Sequence, residues 1–191
     1  MKLKSAILAV SLLAFGAGAA HAGQWSMGLN AGAGMPTGDY GDIAATGWNI
    51  GGNVNNMVNN NWGFGADLGY HSWGVNKDLK ATFAPGDKLS LSAIQATAHA
   101  MYNFPVNGNA KPYFQAGLGL YNFRPKAESG GVSVSDSHSD LGFNFGGGMN
   151  FATQGNMTWG FGGAYHVIKT AGTVNANTFT AGLNLNFGMG K

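Results

Sequence analysis

The sequence predicts an all-β protein, an eight-stranded antiparallel up-and-down transmembrane β-barrel. Three observations predict it. Apolar residues recur at every second position in eight separate stretches, the period of a strand with two unlike faces. The connections between these stretches alternate between short turns and long polar loops. Neither face of any stretch carries Lys or Arg. Composition points the same way. Of 191 residues 33 are Gly, 12% are aromatic and 9% are charged, far below the quarter of charged residues usual in soluble domains. A disordered chain would be poor in apolar residues and rich in charge, whereas 45% of this one is hydrophobic. The glycines follow no three-residue period and Pro numbers only 5, which excludes collagen. A formal charge of +2 offers no basic excess for a nucleic acid.

The N-terminus reads as a targeting segment. Lys2 and Lys4 precede an apolar run from Ala6 to Ala20, and Ala20-His21-Ala22 has the small-x-small form of a signal-peptidase site. Residues 1–22 are therefore expected to be a cleaved signal peptide, with residues 23–191 forming the barrel domain. The run is shorter than the ~20 residues a helix needs to span a bilayer, and no stop-transfer charges follow it. With no Cys, the exported chain has neither a disulfide framework nor a lipid-bearing thiol at the cut.

The eight stretches follow in order. The first places Trp25, Met27, Leu29, Ala31, Ala33 and Met35 on one face, with Ser26, Gly28, Asn30, Gly32 and Gly34 between. Trp48, Ile50, Gly52 and Val54 mark the second, and Trp62, Phe64, Ala66, Leu68 and Tyr70 the third. The fourth, with Ile94, Ala96, Ala98, Ala100, Tyr102 and Phe104, is weaker; Phe114, Ala116, Leu118 and Leu120 mark the fifth. Leu141 to Phe151, Met157 to Val167 and Phe179 to Phe187 complete the set. Asn59-Asn60-Asn61, Asn107-Gly108-Asn109 and Gln154-Gly155-Asn156 are the short turns, rich in residues that tolerate positive φ. Pro36 to Ala45, Val75 to Lys88, Arg124 to Ser139 and Lys169 to Asn177 are the long loops and hold most of the charge. That layout is that of an outer-membrane barrel, with turns in the periplasm and loops outside.

Chemistry assigns the faces. One is aliphatic and aromatic; the other is Gly, Asn, Ser, Thr and Gln, with Asp67, Asp140, His71, His99 and His166. The polar face has too few charges for a soluble surface, so the apolar face is assigned to lipid. Aromatic residues gather near the turns at Trp62, Phe64, Tyr102, Phe104, Phe151 and Phe187. A second set near the loops comprises Trp48, Tyr70, Tyr121, Phe123 and Tyr165, and together they suggest two interfacial girdles. Hydrocarbon tolerates no open strand edge, so the first and last strands must pair.

Pro112-Tyr113-Phe114-Gln115-Ala116-Gly117-Leu118-Gly119-Leu120-Tyr121 resembles the fifth strand of small OmpA/OmpX-type outer-membrane barrels. Gly142-Phe143-Asn144-Phe145-Gly146-Gly147-Gly148-Met149-Asn150-Phe151 resembles the strand that follows it. The resemblance implies a Gram-negative outer-membrane location and insertion by the barrel-assembly machinery, which reads an aromatic-ended last strand. Phe179, Leu183, Leu185 and Phe187 fit that signal, although Gly188-Met189-Gly190-Lys191 follows where such chains usually stop. It implies contact with outer-membrane lipid and lipopolysaccharide, but no peptidoglycan-binding domain.

Function is read from the lumen and the loops. Eight strands leave an interior that side chains just fill, yet fifteen glycines on the polar face supply no volume. Inward Trp73, Tyr113 and Tyr121 are expected to fill part of the interior and water the rest. One expectation is a closed barrel filled by ordered water and aromatic rings; the other is a hydrated, narrow and weakly cation-preferring pore, with Asp67 and Asp140 as its acids. With Trp62 and Phe104 level at the periplasmic rim, Asp67 is expected to pair with His99, and Asp140 with His166 nearer the outer rim, because an unpartnered polar group inside is costly. The outer-loop candidates for a structural or surface-interaction role are Asp39, Tyr40, Asp42, Lys77, Lys80, Arg124 and Lys126. Val132-Ser133-Val134 alternates and suggests a hairpin above the membrane, open to a partner strand. The alternative is a lipid-modifying enzyme of acylase or acyltransferase type, for which His71-Ser72 and Ser137-His138-Ser139-Asp140 are the places to look. His71 and Ser72 point to opposite faces, and no G-x-S-x-G or H-E-x-x-H occurs. The expectation is a monomer without catalytic residues, metal, cofactor or nucleic-acid partner.

Overall fold

A computed structural model describes residues 23–153, 155–170 and 175–189. The expected signal peptide over 1–22, Gln154 and the terminal Gly190-Lys191 lie outside the described residues. Ten strands form one sheet: β1 (Gln24–Thr37), β2 (Ala44–Met57), β3 (Trp62–Val75), β4 (Lys88–Asn103), β5 (Ala110–Phe123), β6 (Lys126–Ser129), β7 (Val132–Ser135), β8 (His138–Ala152), β9 (Met157–Ile168) and β10 (Asn177–Met189). Helices α1 (Asp39–Ile43) and α2 (Lys77–Lys80) sit in the first two long loops. The eight long strands pair antiparallel around a closed ring, and β1 closes on β10 from Trp25 opposite Met189 to Thr37 opposite Asn177.

Alternation decides which side faces out. Leu29, Leu68, Leu118 and Leu183 are 63, 62, 63 and 64% exposed on the outer wall, while the residues between them line the interior. A soluble barrel would reverse this. Trp48 and Tyr70 touch at the loop end (5.5 Å between ring centroids), and Trp62 with Tyr102 (4.9 Å) and Phe151 with Trp159 (4.6 Å) at the turn end. Two residues assigned to the loop-side girdle do not belong to it: Tyr121 and Phe123 point inward and are buried.

Several strands overrun their sequence pattern at the loop end. β2 begins at Ala44 rather than Trp48, β4 at Lys88 rather than Ile94, and β3 reaches Val75. Beyond the hydrocarbon the ladder continues in water, where an apolar outer face confers no advantage. Following cross-strand partners from Gly34 through Thr180, Ala164, Gly146, Gln115, Met101, Gly63 and Met57 returns to β1 at Gln24, ten residues displaced. Over eight strands that stagger corresponds to a strand tilt of about 40°.

The turns differ in mechanism. Gly108 and Gly155 take positive φ, 113° and 82°. The Asn59-Asn60-Asn61 turn uses no positive φ. There the Asn59 side-chain oxygen accepts from the backbone N–H of Asn61 (2.9 Å) and Trp62 (2.8 Å), an Asx turn.

The third loop is a continuation of the barrel wall. Pairing of β5 with β8 ends with Phe123 opposite His138, and the same register resumes with Lys126 opposite Ser135 and runs to Ser129 opposite Val132. β4 likewise passes from Ala93 opposite Phe123 to Ser90 opposite Lys126 without a shift. Gly130 and Gly131, at φ 55° and 82°, close the hairpin. The result is a flap rising from the β4–β5–β8 wall.

Candidate functional site: lumen and outer flap

A chain of side-chain hydrogen bonds runs along the inner wall. His71 Nε2 donates to Gln95 Oε1 (2.8 Å), Gln95 Nε2 to Thr97 Oγ1 (3.0 Å) and Thr97 Oγ1 to Asp67 Oδ2 (3.3 Å). Asp67 Oδ2 also accepts from His99 Nδ1 at 2.7 Å, and His99 Nε2 lies 2.9 Å from Asn55 Oδ1. Asp67 and His99 are thus brought together as expected, though from different levels of the ladder. Trp62 stands opposite Tyr102 rather than Phe104, so His99 faces Gly65 and reaches Asp67 diagonally. Gly65 makes this possible. A Cβ there would collide with Asn55 Oδ1 and come within 2.6 Å of His99 Nε2.

The second expected pair, Asp140 with His166, does not form. His166 Nδ1 accepts from the Tyr121 hydroxyl (2.9 Å) and its Nε2 donates to Thr180 Oγ1 (3.0 Å), while Asn144 Nδ2 donates to Tyr121 (3.3 Å). Asp140 instead lies 3.3 Å from His138 Nε2, without hydrogen-bond alignment. Stagger is the reason. Asn144 is the residue opposite His166, and Asp140 is opposite Tyr121, nearer the loops.

Above this polar layer an apolar plug stands in the loop end of the barrel, with a recess of about 210 Å³ beside Tyr40, Leu91, Phe123 and Ala176. Tyr40, Ala44, Trp73, Leu91, Ala93, Tyr121, Phe123, Ile168 and Ala176 form one buried cluster. Trp73 stacks on His71 (5.4 Å) and Phe123 (6.2 Å) and meets Tyr40 edge-on (5.5 Å). Its indole edge sits over Gly34, where a Cβ would lie 3.1 Å from Nε1. Tyr40 was an outer-loop candidate for contact with partners; α1 folds its ring into the mouth, so it serves the plug instead. Burial pushes its phenol pKa above the ordinary value. Below lies a chamber of about 390 Å³, lined by Asp67, His71, His99, Tyr113, Asn144 and His166 among others, with Lys111 at the turn end. Asp140 does not line it, so the two acids expected along one ion path do not share this chamber.

Closed ring, apolar outer wall and polar interior are now established, and the family comparison agrees with them. Residues 5–187 match the family model described as outer membrane protein beta-barrel domain. The chain belongs to that family. No curated protein compared matches the sequence. Among solved structures, this outer-membrane barrel is similar to Neisserial surface protein A at 20% identity, covering 86% of this chain and 97% of that one (TM-score 0.64). It is also similar to Ail, the attachment invasion locus protein of Yersinia pestis, at 18% identity over 86% and 99% (TM-score 0.54). OprG of Pseudomonas aeruginosa is a third, at 14% identity over 87% and 98% (TM-score 0.55). At these identities the likeness is one of fold.

On the outer-membrane barrel the remaining candidates are scattered. Asp39 and Asp42 are exposed on α1, and Lys77 and Lys80 on α2. Arg124 and Lys126 lie where the flap leaves the wall: Arg124 Nε donates to Asn122 Oδ1 (2.8 Å), and Lys126 pairs with Glu128, holding that carboxyl below its ordinary pKa. Ser139 Oγ accepts from Asn122 Nδ2 (2.9 Å), and no hydrogen bond joins it to His138 among the described residues. Phe179, Leu183, Leu185 and Phe187 face outward on β10, which continues past Phe187 to Met189. No group of three His, Cys, Asp or Glu able to hold a metal occurs among the described residues. Trp73 and Tyr121 stand inward as their parity predicts, whereas the inward turn of Phe123, which shares that parity, and the entry of Tyr40 from the first loop were not predicted.

Proposed function

We propose that the chain is a monomeric surface barrel of the Gram-negative outer membrane, closed to solutes, that presents its loops and flap for contact outside the cell. Residues 1–22 export it as a cleaved signal peptide, and the barrel-assembly machinery inserts it by reading Phe179 to Phe187. Outer-membrane lipid and lipopolysaccharide surround its apolar belt. The observation that carries the reading is the Tyr40–Trp73–Phe123 plug, which occupies the mouth that a channel would leave open. The names of two structural relatives, a surface protein and an attachment protein, are in keeping with it. The test is planar-bilayer conductance of the folded barrel, with a heat-shifted gel band as the folding control. A silent membrane is expected. Discrete cation-preferring steps, reduced by Asp67→Asn, would reinstate the narrow pore that the Asp67-lined chamber favours. Lipid A deacylation or palmitoylation lost in Ser139→Ala would establish the enzyme reading instead.

A further inference from the structure

Strand β7 is an edge. It pairs with β6 alone, and no strand covers its other side among the described residues. Exposed edges are normally blunted by shortness, charge, Pro or a covering segment; β7 is short, four residues, but Val132-Ser133-Val134-Ser135 carries neither charge nor Pro, and both valines are 66% exposed. The flap has two unlike faces. Leu89, Ala127, Val132 and Val134 continue the side that faces the lumen, while Lys88, Lys126, Glu128, Ser133 and Ser135 continue the lipid side.

We infer that β7 is a self-pairing edge through which two copies of this chain in facing membranes join antiparallel. Val132 of each copy lies opposite Val134 of the other. The inference rests on the surface-barrel reading and names its partner. About a two-fold axis through Ser133, valine meets valine twice and Ser133 meets Ser133. Gly131 then meets Ser135 and Gly130 meets Asp136, so no like charges are opposed. Registers displaced by one residue set Val against Ser, and one centred on Val134 sets Val132 against Asp136.

Direction selects facing membranes. β7 continues β8 in unbroken register, so it descends toward the membrane at about the tilt of the barrel strands, ~40°. Two barrels in one membrane both send β7 downward and cannot run antiparallel at any tilt short of horizontal. Parallel pairing in one membrane about an axis along its normal would cross the strands at about twice the tilt, too steep for a ladder. Opposed membranes supply the reversed partner. A four-residue ladder buries far less than the ~1,200 Å² of a stable complex, so each contact is transient, and adhesion requires many pairs acting together.

The test uses the full-length protein purified from outer membranes and reconstituted into phosphatidylcholine vesicles carrying two dyes. Cross-population clustering should rise more steeply than linearly with protein density. V132K/V134K vesicles should cluster at least tenfold less, and so should V132E/V134E vesicles, because the substituted charges face each other. Mixing the two populations should restore clustering. Ser133→Pro, which removes an edge N–H without adding charge, should also abolish it, and the heat-shifted band shows which variants fold. Dispersed wild-type vesicles, indifference to the charge variants, or failure of the mixture to recover would each overturn self-pairing. A silent conductance trace beside dispersed vesicles would leave the surface-barrel reading standing and remove only this partner.

Discussion

Trp73→Ala should both weaken the barrel and open it. The indole is 6% exposed and touches three aromatic rings, those of His71, Phe123 and Tyr40. A Trp buries about 150–250 Å², worth about 4–6 kcal/mol at ~25 cal/mol per Å², an upper bound because denatured chains stay partly compact. Large-to-small substitutions of buried Phe and Trp cost about 3–5 kcal/mol. The two figures converge near 4 kcal/mol. Among the described residues Nε1 has no hydrogen-bond partner, so the figure carries no added hydrogen-bond loss. Urea unfolding of the folded barrel, followed by the heat-shifted gel band, should show a lower midpoint with an unchanged slope. Planar-bilayer recording should show steps absent from the native protein, since the space vacated adjoins the 390 Å³ chamber through His71. A variant as stable as the native barrel and equally silent would refute the assignment of Trp73 as the seal.

Asp67→Asn should cost about 1.5–3 kcal/mol, the usual worth of a hydrogen bond to a charged group; an unchanged urea midpoint would sink the Asp67–His99 pairing as a stabilising contact. Gly65→Ala should cost about 1–3 kcal/mol by overpacking against Asn55 and His99, and NMR of the His99 ring should show its bond to Asn55 broken; a native-like spectrum would argue otherwise. Tyr40 titrates above its unfolded value near 10, so its contribution is intact below about pH 10 and is lost as pH rises through the folded value. Urea midpoints measured from pH 9 to 12 should therefore fall less steeply in Tyr40→Phe than in the native barrel, and identical slopes would exclude a buried phenol at that position.

The eight strands and their faces were legible because lipid on one side and water on the other impose a period of two that nothing in a small barrel relaxes. Asp67 and His99 were legible because β3 and β4 are neighbours in one antiparallel ladder and parity places both side chains inside; although a long loop joins the strands, the imidazole is long enough to reach Asp67 diagonally from opposite Gly65. Asp140 and His166 lie on β8 and β9, where β8 continues past the last residue that β9 pairs, so parity placed both inside but could not place them at one level. Tyr40 was illegible. Its position depends on α1 folding into the mouth against residues of β3 and β5, a long-range packing choice without a local pattern.

The uninterrupted register of the third loop has a consequence for how such a protein can change length. Because the flap is only more of the β5–β8 ladder, a residue inserted on each side of Gly130-Gly131 extends it by one rung and leaves every pair below untouched. An insertion on one side alone exchanges the faces of that strand beyond the point of insertion. Matched insertions thus make projection above the bilayer adjustable while the wall, plug and stagger stay as they are. A grafted peptide placed at the glycine tip would inherit the rigidity of the wall rather than the freedom of a loop.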